Sequence, residues 1–258
     1  MNYSGSKSLC AFLLVLTAGC GGQRMTNDTT PRNARILFIG DSVTACMTES
    51  VPGTCSSNPG LPLNPGQVGL NRAAGGQTTA EILARFQRDA LDPQSWPDGA
   101  TAHADVIVIE EHLNDYGLPT PRSLPLQKTE DNIRTMVDMA LTANRSVVIQ
   151  TMLPTASTHG NTDGPNAALG DFNGLYIKLF NHKFLRQEMS QKPHVAIADT
   201  YRAIVDSASC EADPLSAANC FAKPDLLEDG IHPSAAGFSA IFPVIREAIA
   251  KVVAAPTN

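Results

Sequence analysis

Ile36-Leu37-Phe38-Ile39-Gly40-Asp41-Ser42-Val43 opens with four consecutive apolar residues and then turns polar through a glycine, an acid and a serine. A strand with one face in water alternates apolar and polar side chains, whereas an unbroken apolar run of this length belongs to a strand covered on both faces, as in parallel sheets. Three further runs have the same character: Val106-Ile107-Val108-Ile109, Val147-Val148-Ile149 and Val195-Ala196-Ile197. Helical patterns lie between them. Thr78-x-x-Glu81 forms a capping box ahead of Ile82, Leu83 and Phe86, and Ile133, Met136, Val137, Ala140 and Leu141 make one apolar stripe. A third helix is expected from about Asn173 to Met189. A last one carries Phe238, Ile241, Phe242, Ile245, Ile249 and Val252, with a bend at Pro243, where proline removes a backbone donor. Strands alternating with helices predict one α/β domain over residues 35–254, doubly wound on a mostly parallel sheet, with its chemistry at the carboxyl ends of the strands.

Composition agrees and narrows the function. The chain has 258 residues, 43% hydrophobic and 17% charged, which excludes disorder and collagen-like repeats. Its 19 basic and 25 acidic residues give a net charge of −6, so no basic footprint for a nucleic-acid partner exists. Aromatic residues are only 5%, leaving aliphatic side chains and alanine to build the core.

The N-terminus reads as an export signal. Lys7 precedes the uncharged stretch Cys10-Ala11-Phe12-Leu13-Leu14-Val15-Leu16, which is too short to span a bilayer. Leu16-Thr17-Ala18-Gly19-Cys20 resembles a bacterial lipobox, although threonine stands where leucine is usual. The expectation is a lipoprotein-type signal peptide over residues 1–19, lipidation of Cys20, and a flexible polar tether over 20–34. The protein would then be exported and membrane-anchored, facing the periplasm or cell surface. An oxidising compartment suits the other cysteines, Cys46, Cys55, Cys210 and Cys220, apart from Cys10. Of three possible connectivities, Cys46–Cys55 and Cys210–Cys220 are expected, because each closes a short loop. No Cys-x-x-Cys or His-x-x-x-His spacing suggests a metal.

Ser42 sits at a sharp turn after the first strand, where a glycine in front would permit the bend. Asp229-Gly230-Ile231-His232 supplies an imidazole with a carboxylate three residues earlier. A hydroxyl nucleophile needs such a pair, a base for its proton and an anion to orient that base. Two segments after strand ends offer oxyanion donors: Ala74-Gly75-Gly76-Gln77 and His112-Leu113-Asn114-Asp115.

In these four blocks, taken in order, the sequence resembles the SGNH (GDSL-type) hydrolase family: Ile39-Gly40-Asp41-Ser42-Val43, Asn71-Arg72-Ala73-Ala74-Gly75-Gly76, His112-Leu113-Asn114-Asp115 and Asp229-Gly230-Ile231-His232. The resemblance implies a flavodoxin-like three-layer α/β/α sandwich. By matching position it implies Ser42 as nucleophile, His232 as general acid/base and Asp229 as its orienting carboxylate. The oxyanion donors would be the backbone N–H groups of Ser42 and Gly76, or of Gly75 in place of Gly76, and the Asn114 amide. No metal or cofactor is implied.

Two departures stand out. His112 occupies the place of a glycine and follows Glu110 and Glu111, where the family's strands are usually apolar; alternation puts Glu110, His112 and Asn114 on one side, with Glu110 close enough to pair with His112, the alternative being a neutral histidine satisfied by backbone groups and filling space. The segment from Val43 to Gln67, helical in many relatives, is rich in proline, glycine and asparagine. Asp41 and Asp115 are expected to be structural, as are the histidines outside the four blocks. The expected function is hydrolysis of carboxylic esters through an acyl-enzyme. Short acyl or carbohydrate acetyl esters rank first, because the presumptive cleft loops, Val51 to Gly66 and Ala156 to Gly170, are poor in large apolar residues. The alternatives are a lysophospholipase or thioesterase of the same family and a non-catalytic glycan-binding lipoprotein.

Overall fold

The computed structural model describes residues 33–50, 55–110, 113–117, 126–156, 177–206 and 220–254. All four expected apolar runs are strands: β1 (Arg35–Ile39), β5 (Val106–Ile109), β6 (Ser146–Gln150) and β7 (Val195–Ala198). A fifth, β2 (Val68–Asn71), completes a sheet of order β2-β1-β5-β6-β7, in which every pair is parallel. β2 escaped the sequence reading because it is a half-buried edge strand interrupted by Gly69. That glycine leaves room for Leu61 and Leu63, whose methyls lie 2.7 and 2.8 Å from where a Cβ would stand. A short antiparallel pair, β3 (Gln94–Ser95) and β4 (Thr101–Ala102), stands apart.

The alternation of strand side chains divides the core. Leu37, Ile39, Ile107, Ile109, Val147 and Ile149 face α2 (Thr79–Phe86), α4 (Leu126–Thr142) and α5 (Leu179–Glu188, wound as a π-helix). Ile36, Phe38, Val106, Val108 and Val148 face α7 (Ala235–Ala254), α6 (Thr200–Ile204) and the residues around the one-turn α1 (Ser42–Ala45). The result is the expected three-layer sandwich, in which the central strands β1, β5 and β6 are buried on both faces, which is why they carry unbroken apolar runs. The capping box is present: Thr78 accepts from the Glu81 amide, and Glu81 from the Thr78 amide. α7 runs unbroken through Pro243. α5 gives way at Met189 to a tighter turn, and the expected start of this helix lies outside the described residues.

In place of a long helix after the serine, one turn leads to a disulfide between buried Cys46 and Cys55, whose Cα atoms are 5.5 Å apart. Closing a loop of this size contributes about 2–3 kcal/mol in the chain-entropy account. Cys220 is also disulfide-bonded, while its expected partner Cys210 lies outside the described residues, as do Cys20, the presumed signal segment and His112.

The strand order places the topological switch at β1, with β2 on one side and β5 on the other. The crevice beyond the carboxyl ends of β1 and β5 is where open α/β sheets hold ligands. Ser42 follows β1 and Asn114 follows β5.

Candidate active site

Ser42 is the first residue of α1, held there by Asp41, whose Oδ1 caps the turn by accepting from the Val43 amide at 2.9 Å. Gly40 was expected to serve the bend itself, but its φ is not in the left-handed region. Its requirement is space: a Cβ would stand 2.8 Å from both the Glu110 carbonyl oxygen and Glu110 Oε2, and 2.9 Å from Thr44 Oγ1. The turn is glycine because β5 and α1 close in on it.

The acid and the base arrive on a short clasp before α7. Leu227 bridges to Pro233, the Glu228 amide donates to the His232 carbonyl at 2.8 Å, and the Ser234 amide donates to the Leu226 carbonyl at 3.0 Å. Within the clasp, Asp229 Oδ1 accepts from the amides of Ile231 (2.9 Å) and His232 (2.8 Å), and Oδ2 meets His232 Nδ1 at 2.7 Å. His232 Nε2 stands 2.8 Å from Ser42 Oγ. An ionised carboxylate only accepts, so Nδ1 carries the imidazole proton and Nε2 is left to accept from the serine hydroxyl. Burial alone would push the Asp229 carboxyl up, but the His232 amide, its imidazole and the Ile231 amide together hold it below the usual carboxylate range. The carboxylate therefore stays charged where the imidazole must be oriented.

Two neighbours steady the clasp. The Ser56 amide, just past the disulfide, donates to exposed Glu228 at 3.0 and 3.1 Å. From the β6 side, the Ala156 amide donates to the Gly230 carbonyl at 2.9 Å.

The second block folds over Ser42. Asn71 Nδ2 donates to the Thr44 carbonyl (2.9 Å) and to Thr48 Oγ1 (2.8 Å), while the amides of Arg72 and Ala74 donate to the carbonyls of Phe38 and Gly40. This brings the glycines to the serine. A Cβ on Gly75 would stand 3.6 Å from Ser42 Cβ, an ordinary contact, whereas Gly76 has φ +75° and needs glycine for its backbone. Arg85, missed in the sequence, braces the turn from α2: it donates to the Arg72 carbonyl (2.6 Å), Gln77 Oε1 (2.7 Å) and the Gly40 carbonyl (3.4 Å). Its signal was its place four residues before Asp89, which it pairs at 3.1 Å.

From β5, Asn114 begins the short α3 (Asn114–Gly117) and its Nδ2 donates to Asp41 Oδ2 at 2.7 Å. One N–H of that amide is thus anchored, and among the described residues no acceptor takes the other. Asp115, as expected, is structural: buried, it accepts from the Thr79 amide at 2.8 Å and the hydroxyls of Thr79 and Thr129. The expected pairing of Glu110 with His112 falls on a residue outside those described. Glu110 is 3% exposed, accepts from Thr44 Oγ1 at 2.9 Å and is hydrogen-bonded to Asp41. Of the outlying histidines, His103 is tied to the Leu91 carbonyl at 2.7 Å and His194 occupies a left-handed turn before β7. Among the described residues no cluster of His, Cys, Asp or Glu is arranged to hold a metal, and no helix is long and apolar enough to cross a membrane.

Comparison with known proteins agrees with this geometry. Three solved structures share the fold: a putative acylhydrolase of Bacteroides fragilis (22% identity, TM-score 0.54, 86% of this chain and 89% of that one), a GDSL-like lipase of Bacteroides thetaiotaomicron (19%, 0.58, 85% and 89%), and an acetylxylan esterase of Geobacillus stearothermophilus (19%, 0.52, 86% and 95%). No curated protein matches the chain. The sequence signature of the GDSL-like lipase/acylhydrolase family matches residues 38–240, from the middle of β1 into α7. The chain accordingly belongs to that family of ester hydrolases, the one its four short blocks resembled.

Proposed function

We propose that the protein is a serine esterase that cleaves short-chain acyl or carbohydrate acetyl esters through an acyl-enzyme on Ser42. The observation that carries this reading is the unbroken line Asp229–His232–Ser42, with contacts of 2.7 and 2.8 Å. His232 Nε2 takes the Ser42 proton as Oγ attacks the ester carbonyl, and the imidazolium formed is stabilised by Asp229. The oxyanion is held by the N–H groups of Ser42 and Gly76 and by the free N–H of the Asn114 amide. His232 then returns the proton to the leaving alcohol, and a water activated by the same imidazole releases the acid. A fluorophosphonate probe should label Ser42 once per chain and abolish hydrolysis in parallel. Labelling elsewhere with activity intact would sink the assignment. A p-nitrophenyl series from acetate to palmitate, run beside acetylated xylo-oligosaccharides, tests the substrate class. Acetate or sugar acetates should give the highest kcat/KM, and a palmitate optimum would favour the lysophospholipase reading. Xylan acetates are included because one structure sharing this fold acts on that polymer.

We also propose export and lipidation at Cys20, on the strength of Leu16-Thr17-Ala18-Gly19-Cys20. Wild-type protein should incorporate a palmitate analogue and fractionate with membranes, and Cys20→Ala should do neither. An unlabelled wild type would remove the anchor.

A further inference from the structure

We infer that Glu110 is a positioning residue for Asn114: it is the buried hydrogen-bond donor that holds the Asp41 carboxylate against the Asn114 amide and so fixes the direction of the N–H left for substrate. The inference rests on the reading of Asn114 as an oxyanion donor.

The geometry begins at the sheet. Glu110 follows Ile109 at the end of β5, on the side of Val108, and beside it in register comes Gln150 at the end of β6. Neither Glu110 (3% exposed) nor Asp41 (1%) has access to water. Their carboxyl groups face each other in hydrogen-bonding contact, and Glu110 also accepts from Thr44 Oγ1 at 2.9 Å. Two carboxyl groups in such contact away from water cannot both be ionised, so the pair retains one proton. Its location follows from the other partners. Asp41 already accepts on both oxygens, from the Val43 amide on Oδ1 and from Asn114 Nδ2 on Oδ2, whereas Glu110 accepts from the Thr44 hydroxyl, so the negative charge is better stabilised on Asp41. Glu110 keeps the proton and donates it to Asp41. Burial and the Asp41 charge push the Glu110 carboxyl well up, in the same direction. Among the described residues, the other charged groups nearby are the Arg85 guanidinium behind the Gly40 carbonyl and the Asp229–His232 pair across Ser42.

The functional consequence lies in Asp41. An aspartate freed from Glu110 can rotate, and the Asn114 amide rotates with it, because one of its two N–H groups is bound to Oδ2. An oxyanion donor acts only when aimed at the position the charge will occupy. Glu110 thus acts at one remove, through Asp41 and then Asn114, without touching substrate.

The test is a double-mutant cycle on p-nitrophenyl acetate. Glu110→Leu should lower kcat about tenfold at nearly constant KM, while Glu110→Gln, whose amide can still donate to Asp41, should stay within about threefold of wild type. In an Asn114→Ala background Glu110→Leu should cost almost nothing more. An equal loss in both backgrounds, or a glutamine variant as poor as leucine, would overturn the inference and leave the triad intact. If Asn114→Ala itself keeps full kcat, the oxyanion reading of Asn114 fails, and this inference with it. Should Glu110→Leu not fold, the Tm of wild type and Glu110→Gln can be compared across pH. The folded state keeps a proton that the unfolded glutamate, titrating near 4.5, gives up, so wild type loses stability relative to the glutamine variant as pH rises above that value. A Tm difference independent of pH would show that no such proton is held.

Discussion

Ser42→Ala and His232→Ala should each remove hydrolysis of a short-chain ester by about 10⁶-fold in kcat, and the double variant should be scarcely worse than either single one. The expectation follows from one proton path. Ser42 Oγ has its 2.8 Å contact with His232 Nε2, and among the described residues no other base is hydrogen-bonded to the hydroxyl. Without the hydroxyl the imidazole has nothing to activate for acyl transfer. Asp229→Asn should cost about 10⁴-fold, because the carboxamide no longer dictates which imidazole nitrogen holds the proton. His232 is buried and Ser42 begins a one-turn helix, so the serine change should leave Tm nearly unaltered. Thermal melts beside steady-state kinetics on purified variants check both parts. Losses that multiply in the double variant would mean that the two residues work independently, contrary to the scheme.

The second large effect is expected at Asn114. Its replacement by alanine should lower kcat about 10²–10³-fold with little change in KM, since the amide meets negative charge only as the tetrahedral intermediate forms. The contact with Asp41 adds a signature. Removing the amide also takes a donor from Asp41 Oδ2, so a modest fall in stability should accompany the kinetic loss. A variant with raised KM and unchanged kcat would assign Asn114 to ground-state binding instead.

What could be read from the residues follows their physics. β1, β5 and β6 were legible because strands covered on both faces cannot alternate, β7 because its run is equally apolar though only partly buried, and α2 because its capping box is local chemistry. β2 was not, since Val68-Gly69-Leu70-Asn71 carries only half a strand's burial and a glycine whose purpose is to admit Leu61 and Leu63. At the site, Ser42, Asp229 and His232 were legible as types at telling spacings. The tie between Glu110 and Asp41 was not, because it joins residues from different strand ends through space and leaves no period in the chain. Alternation did place Glu110 and Asn114 on one side, and both converge on Asp41. A partner for Glu110 that the chain does not advertise, Asp41, lies 69 positions earlier. Gly40 teaches the same lesson: glycine is read first as a hinge, and here it is a gap kept open for Glu110 and Thr44.

The contact between Ser42 and His232 spans 190 positions of the chain, whereas Asp229 and His232 are three apart. On the ribosome the nucleophile is therefore made long before its base. A nascent chain stopped anywhere before residue 232 holds a serine with no imidazole from the clasp to activate it, however much of the sheet has already formed. Closing so long a loop is also among the costliest steps for chain entropy, and it can be rewarded only when α7 docks and carries the clasp into place. On the proposed reading, hydrolytic competence is in this sense a timer on biosynthesis, switched on only after the chain has passed residue 232.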